Sequence, residues 1–219
     1  SAGFTVTDGN VSFASTVMTG AFTNNAMSDT VTLGGALTVA GNLTTAAGTT
    51  LTGGVHNITV NSGNLSLASG TYTGTGVFAV NGPSTVTWGT NTLQSLMISN
   101  SVGAATLSGT GAVGTVGIDH PMGTETTTLG TAINAGSGGF TITGGGGNLD
   151  WGTNTLASNG STSFAGITFL QTGTLNLGGT GTLTPGVSTF AAVNVNGGTV
   201  ALAGGATLNA ASLTVAVAA

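Results

Sequence analysis

Asp119-His120-Pro121, with Glu125 close behind, is the densest group of side chains able to move protons or hold a metal. A histidine and two carboxylates within seven residues offer the nitrogen and oxygen donors that a divalent ion takes, or an acid–base pair. Pro121 and Gly123 also mark a surface turn, where the same acids would simply be solvated. The turn is the favoured reading of Asp119, His120 and Glu125, and neither a metal nor a cofactor is expected. Gly144-Gly-Gly-Gly-Asn-Leu-Asp150 approaches a calcium β-roll repeat, but its acid arrives one residue late, so it too reads as a turn. Gly109-Thr-Gly-Ala-Val-Gly114 matches a dinucleotide fingerprint that a chain with 41 glycines produces by chance, and it lacks the strand-to-helix setting. No G-x-S-x-G elbow offers a hydrolase its nucleophile. An enzyme is not expected.

Composition removes further classes. The chain has 219 residues, no lysine, no arginine, no cysteine and a net charge of −5. Nothing can neutralise phosphates or release counterions, so a nucleic-acid partner is excluded. A phosphate-binding P-loop, which needs its lysine, is excluded as well, and so are disulfides and thiolate chemistry. No apolar run of about 18 residues signals a membrane-spanning helix, and no membrane insertion is expected. Ser1 follows neither a methionine nor a charged, apolar leader, which reads as a processed product or a fragment.

The elements that carry these residues are short strands. Glycine punctuates the chain, Glu and Gln together number three, Lys and Arg are absent, and Thr and Val abound. Ala36-Leu-Thr-Val39, Asn57-Ile-Thr-Val60, Asn64-Leu-Ser-Leu67 and Val77-Phe-Ala-Val80 alternate with period two. Trp88-Gly-Thr-Asn-Thr-Leu93 recurs as Trp151-Gly-Thr-Asn-Thr-Leu156, a shift of 63, and Leu51, Tyr72 and Leu93 fall 21 apart. Thr-x-Thr pairs keep the same beat at Thr30/Thr32, Thr50/Thr52, Thr71/Thr73 and Thr90/Thr92. A period near 21 is one coil of a solenoid, too short to bury its own apolar face except by stacking on its neighbours.

The expected fold is all-β: a right-handed parallel β-solenoid with coils of about 21 residues, against a β-sandwich or jelly roll as the alternative. Residues 1–219 form one domain, with 1–30 as the stretch where an irregular first coil would fall. Val31, Leu51 and Tyr72 should point inward and their flanking threonines outward. Trp88 and Trp151 are expected to pack between repeats rather than offer sugar-stacking platforms. Five N-x-[ST] sequons, at Asn10, Asn42, Asn57, Asn64 and Asn159, match the number composition alone predicts.

Ser69-Gly-Thr-Tyr-Thr-Gly-Thr-Gly76 and Val193-Asn-Val-Asn-Gly-Gly-Thr-Val-Ala-Leu202 resemble the strand repeats of bacterial autotransporter passengers and filamentous-haemagglutinin-like adhesins. The resemblance implies a secreted or surface-displayed β-solenoid and carries over no catalytic residue.

Sheet edges are normally guarded by lysine, charge or proline, yet this chain has no lysine and only three prolines. Its last stretch, Leu202 to Ala219, is apolar and uncharged where a solenoid needs a polar cap. The expectation is therefore a non-enzymatic extracellular or cell-surface structural protein that assembles with itself head to tail into a fibre or sheath. Two alternatives remain open: an adhesin or carbohydrate-binding stalk with glycan partners, and an ice-binding solenoid working through its threonine ladder.

Overall fold

The computed structural model describes residues 2–25, 28–100 and 103–216, and its backbone winds into a parallel β-solenoid of about ten coils of roughly 20 residues. No helix occurs among the described residues, so none is long and apolar enough to cross a membrane. Neighbouring strands run parallel along every sheet, which excludes the sandwich alternative. At about 4.8 Å per coil, the stack is on the order of 50 Å long.

Each coil passes through three sides in turn. The first side holds nine strands, from Phe4–Val6 to Thr168–Gln171. Above it Phe190 and Ala210 add a single parallel bridge. The third side begins at Val17–Thr19, Leu37–Val39 and Ile58–Asn61 and continues to Gly181–Thr184 and Val200–Leu202. The second side comes in two stretches. Val11–Phe13, Thr30–Leu33, Thr50–Gly54 and Thr71–Gly74 make the first. In the next coil the backbone does not pair with Tyr72, and Leu93 starts a new ladder with Val113. That ladder runs on through Thr155–Ser158, Thr174–Leu177 and Ala192–Asn196 to Leu213–Ala216. In the middle coils one long strand, such as Ile133–Gly144, covers both the second and the third side.

Period-two alternation sets the core. Phe22, Leu43, Leu65, Val86 and Leu107 stand above one another on the first side and are fully buried. Leu37, Ile58, Phe78, Leu96 and Val116 do the same on the third side. Each aliphatic side chain so buried contributes about 1.5–3 kcal/mol, and no coil could bury it alone. Outward positions carry hydroxyls, including the register Thr5, Thr23, Thr44, Ser66, Thr87 and Ser108. Among the described residues of 1–30, Phe4–Val6, Val11–Phe13 and Val17–Thr19 all pair in register with the coil above.

Corners are built with asparagine. The side-chain Oδ1 atoms of Asn10, Asn42, Asn57 and Asn64 accept backbone N–H groups from Thr30, Asn64, Val77 and Thr85, one coil on, at 2.8, 2.9, 3.0 and 2.8 Å. Each amide thus extends the ladder where the main chain turns away. The residue after each asparagine turns inward and the next outward, which writes Asn-apolar-Thr/Ser into the sequence. Four of the five sequons are therefore the signature of a corner.

The repeated Trp-Gly-Thr-Asn segments are also corners. Asn91 and Asn154 donate their N–H groups back to Trp88 and Trp151 carbonyls at 3.0 and 2.8 Å. Gly89 and Gly152 take φ of 59° and 51°, the left-handed conformation that such a turn needs and glycine adopts without strain. Gly111 and Gly173 cross above them, where a Cβ would collide with the Asn91 and Asn154 carbonyl oxygens.

Candidate functional site

The pleat separates the Asp119–His120–Glu125 group. Val116 and Ile118 face the core, so Asp119 turns out to solvent, where it accepts a bond from the Thr143 hydroxyl at 3.3 Å. His120 comes next in sequence but sits at the bend into the corner and is fully buried, its Nε2 lying 2.9 Å from Thr127 Oγ1. Glu125 is buried as well, and its two oxygens accept the N–H groups of Met122 and Thr124 at 2.7 and 2.8 Å. Its carboxylate ties the Pro121–Thr124 turn together. No group of three histidine or acid side chains suited to a metal forms among the described residues. Asp119, His120 and Glu125 are not brought together as a ligand set: the first faces water, the second faces the core and both oxygens of the third accept turn amides.

Electrostatics agree with a structural corner. Burial lowers the His120 pKa, against the opposing pull of the Glu125 and Asp119 charges, so the ring stays neutral near pH 7. For Glu125 burial pushes the pKa up, but backbone N–H donors and His120 outweigh it, and the net shift is downward. His120 Nδ1 has no partner and lies beside Gly147, where a Cβ would stand 2.6 Å from it. The His120–Thr127 pair resembles a base and a hydroxyl nucleophile only on paper, because both residues are fully buried.

Trp88 and Trp151 are buried, at 1% and 0% exposure. Neither can stack on a sugar from outside. A surface groove of about 240 Å³ does open on the third side over Gly117, between Met97 and Thr141, with Asp119 and Thr143 on its rim, but no aromatic ring lines it.

The threonine ladder is partly assembled. Thr30, Thr50 and Thr71 stand in one register, and Thr32, Thr52 and Thr73 in another, continued downward by Ser12. The Thr73 hydroxyl donates to Thr52 Oγ1 at 3.2 Å. Thr90 and Thr92 do not join: they are exposed on either side of buried Asn91, at the corner where the second side breaks. Leu93 likewise pairs with Val113 instead of stacking on Tyr72. Asn91 explains the break. Its Oδ1 accepts the Tyr72 N–H at 2.7 Å, and its Nδ2 donates to the carbonyls of Leu67, Gly70 and Trp88 at 2.8, 3.1 and 2.9 Å. One side chain fills the place of a strand.

The two ends differ from the middle. At the start, Phe4, Phe13 and Phe22 cluster with ring centroids 5.2 to 6.4 Å apart, and Phe4 and Phe13 are only half buried. At the finish, Leu202, Leu213 and Val215 are 46, 55 and 61% exposed. They edge an aliphatic cavity of about 200 Å³ that reaches down to Leu177, Leu183 and Val193. The apolar final stretch foreshadowed this opening. Nothing in strand alternation alone marked Phe4 and Phe13 as end residues, and the asparagine corners were hidden because their pattern coincides with a sequon.

Comparison with family models, with curated proteins and with solved structures finds no match. The chemistry of this chain has to be read from its own surfaces, and these are hydroxylated flanks and two apolar ends.

Proposed function

We propose that the protein is a non-enzymatic structural rod, displayed outside the cell or on its surface, that joins copies of itself end to end into a fibre or sheath. One observation carries this: the last described coils leave Leu202, Leu213 and Val215 exposed beside strands whose outer backbone groups have no partner among the described residues. Such an edge recruits another strand, and it has no lysine to discourage one. A parallel stack adds coils in one direction, so a copy added at one end leaves an equivalent end free, and the contact does not close. The likeness to bacterial surface repeats supports the extracellular setting, and a chain with no lysine or arginine offers trypsin-like proteases no cleavage site there. Purified protein imaged by negative-stain microscopy from dilute to concentrated should give filaments of constant width that lengthen with concentration. Short single rods at every concentration would overturn the proposal.

A second reading rests on the six in-register threonines of the second side. A flat hydroxyl array of fixed spacing, about 4.8 Å between rows, could hold water in the order of an ice face. Hydroxyl columns also run along the first side, so uncharged solvation accounts for much of the pattern. Thermal hysteresis on freezing, lost in Thr52→Val, would favour the ice reading. Its absence in the wild-type protein would leave the threonines as solvation alone.

A further inference from the structure

We infer that the two ends are a matched pair: the aromatic start of one copy seats on the aliphatic finish of another, with Phe4 above Ala210, Val11 above Leu213 and Phe13 above Val215. The inference rests on the end-to-end reading and specifies its joint. Three observations lead to it.

The order of sides is the same at both ends. Phe4–Val6, Val11–Phe13 and Val17–Thr19 follow first, second and third sides, and the Phe190 bridge, Ala192–Asn196 and Val200–Leu202 follow them again. The middle coils, with one strand spanning two sides, would not match either end. The final described residues then supply the first side at Ala210 and the second at Leu213–Ala216. A second copy beginning with Phe4–Val6 and Val11–Phe13 presents those same two sides in the same chain direction.

Pleat and residue type also agree. Leu213 and Val215 stand in register with Val193 and Val195, so both point toward the solenoid interior, and among the described residues no strand pairs above them. Val11 and Phe13 stand in register with Val31 and Leu33 and point inward from the other end. Placed in ladder, each inward residue of one copy meets an inward residue of the next, and Ser12 and Thr214 both face outward. The cavity of about 200 Å³ beside Leu202, Leu213 and Val215 provides the depth for a half-buried phenylalanine ring. The joint repeats, between copies, the coil-on-coil contact found throughout the chain.

Charge does not oppose the contact. Asp8 and Asp29 are the only acids near the start, and the stretch from Leu202 to Ala219 has none. Two starts brought together would instead face acid with acid.

Because the chain has no cysteine, paired cysteines report the joint cleanly. Ser12→Cys with Thr214→Cys places two thiols on adjacent parallel strands at a separation a disulfide spans, about 4.4–6.8 Å between Cα atoms. Mild oxidation should give a ladder of covalent multimers on a non-reducing gel, while either single variant stays at background. Thr32→Cys with Thr52→Cys, in register within one chain, should close internally and certify the oxidation. If Thr214→Cys alone forms dimers as readily as the pair forms multimers, like ends meet and the inference fails. If filaments form but the pair does not cross-link, the joint is wrong and end-to-end assembly stands. If neither filaments nor cross-links appear at any concentration, both fall.

Discussion

Residues 88–93 and 151–156 have identical sequences and fold into the same corner, yet they serve the solenoid differently. In both, tryptophan is buried, glycine carries the turn, and a Thr-Gly pair from the next coil donates its N–H groups to the glycine carbonyl. At the first corner the tryptophan Nε1 donates to the Gly111 carbonyl at 2.8 Å, and the asparagine amide makes four bonds, one of them to Tyr72 N–H. At the second, Trp151 Nε1 is unpartnered inside a cluster with Phe164, Phe169 and Phe190, and Asn154 Nδ2 makes one bond, to Leu129 O at 2.8 Å. The difference comes from what lies beneath. Under Asn91 the second side has just ended and its last strand needs a partner. Beside Asn154 the strand Thr155–Ser158 pairs with Ile133–Ala135 unaided. Local sequence makes the corner, and the coil below decides its task.

The largest test of this comparison is truncation of the rings. Trp88→Ala and Trp151→Ala should each cost about 3–5 kcal/mol in denaturant unfolding, since both empty a fully buried site. A loss under 1 kcal/mol at either would show that the corner can refill. The asparagines should separate next. Asn91→Ala removes the side-chain partner of the Tyr72 N–H and of the Leu67 and Gly70 carbonyls, while Trp88 O keeps the residue 91 backbone N–H, and should cost about 3 kcal/mol, whereas Asn154→Ala frees one carbonyl and should cost about 1 kcal/mol. Equal losses would contradict the bridging role of Asn91. Trp88→Phe should then cost about 1–2 kcal/mol through the abandoned Gly111 carbonyl, with Trp151→Phe close to neutral because it removes a donor that had no partner.

The smallest effects are those of pH. Tyr72, next to the first corner, has its pKa pushed up to about 12 by burial. The unfolded chain gives up that proton near pH 10, so stability present below pH 10 should drain away as pH rises toward 12, and Tyr72→Phe should flatten the profile. The second corner has no such group. At the acid side, His120 is held neutral by burial, so the unfolded chain takes up a proton first as pH falls below about 6.5 and stability declines. Glu125, with its pKa also lowered, withdraws its share further down. A His120→Gln chain whose unfolding midpoint still falls between pH 7 and pH 5.5 as in the wild type would remove His120 from this account.

Much of the fold is legible in the chain because a solenoid is periodic. Leu51 and Tyr72, 21 residues apart, stand in register, and the flanking threonines face outward as alternation requires. The beat fails at Leu93 because an asparagine side chain, and no backbone strand, takes up the Tyr72 N–H. Such a substitution leaves spacing and composition unchanged, so no periodic pattern reports it. The Asp119–His120 pair is a different case. Inward Val116 and Ile118 already imply an outward Asp119, and that same alternation denies it a shared ion with a histidine turned into the corner. What no pattern conveyed was that the Glu125 oxygens are consumed by two turn amides.

The interruption between Tyr72 and Leu93 has a mechanical consequence. Pulled along its axis, a continuous stack shares load among three ladders at every level, but here one of them is reduced to a single side-chain amide. Stretched in a force spectrometer, the rod should part either at this level or above Thr168–Gln171, where among the described residues the first side also has no strand paired on it, leaving separately wound pieces.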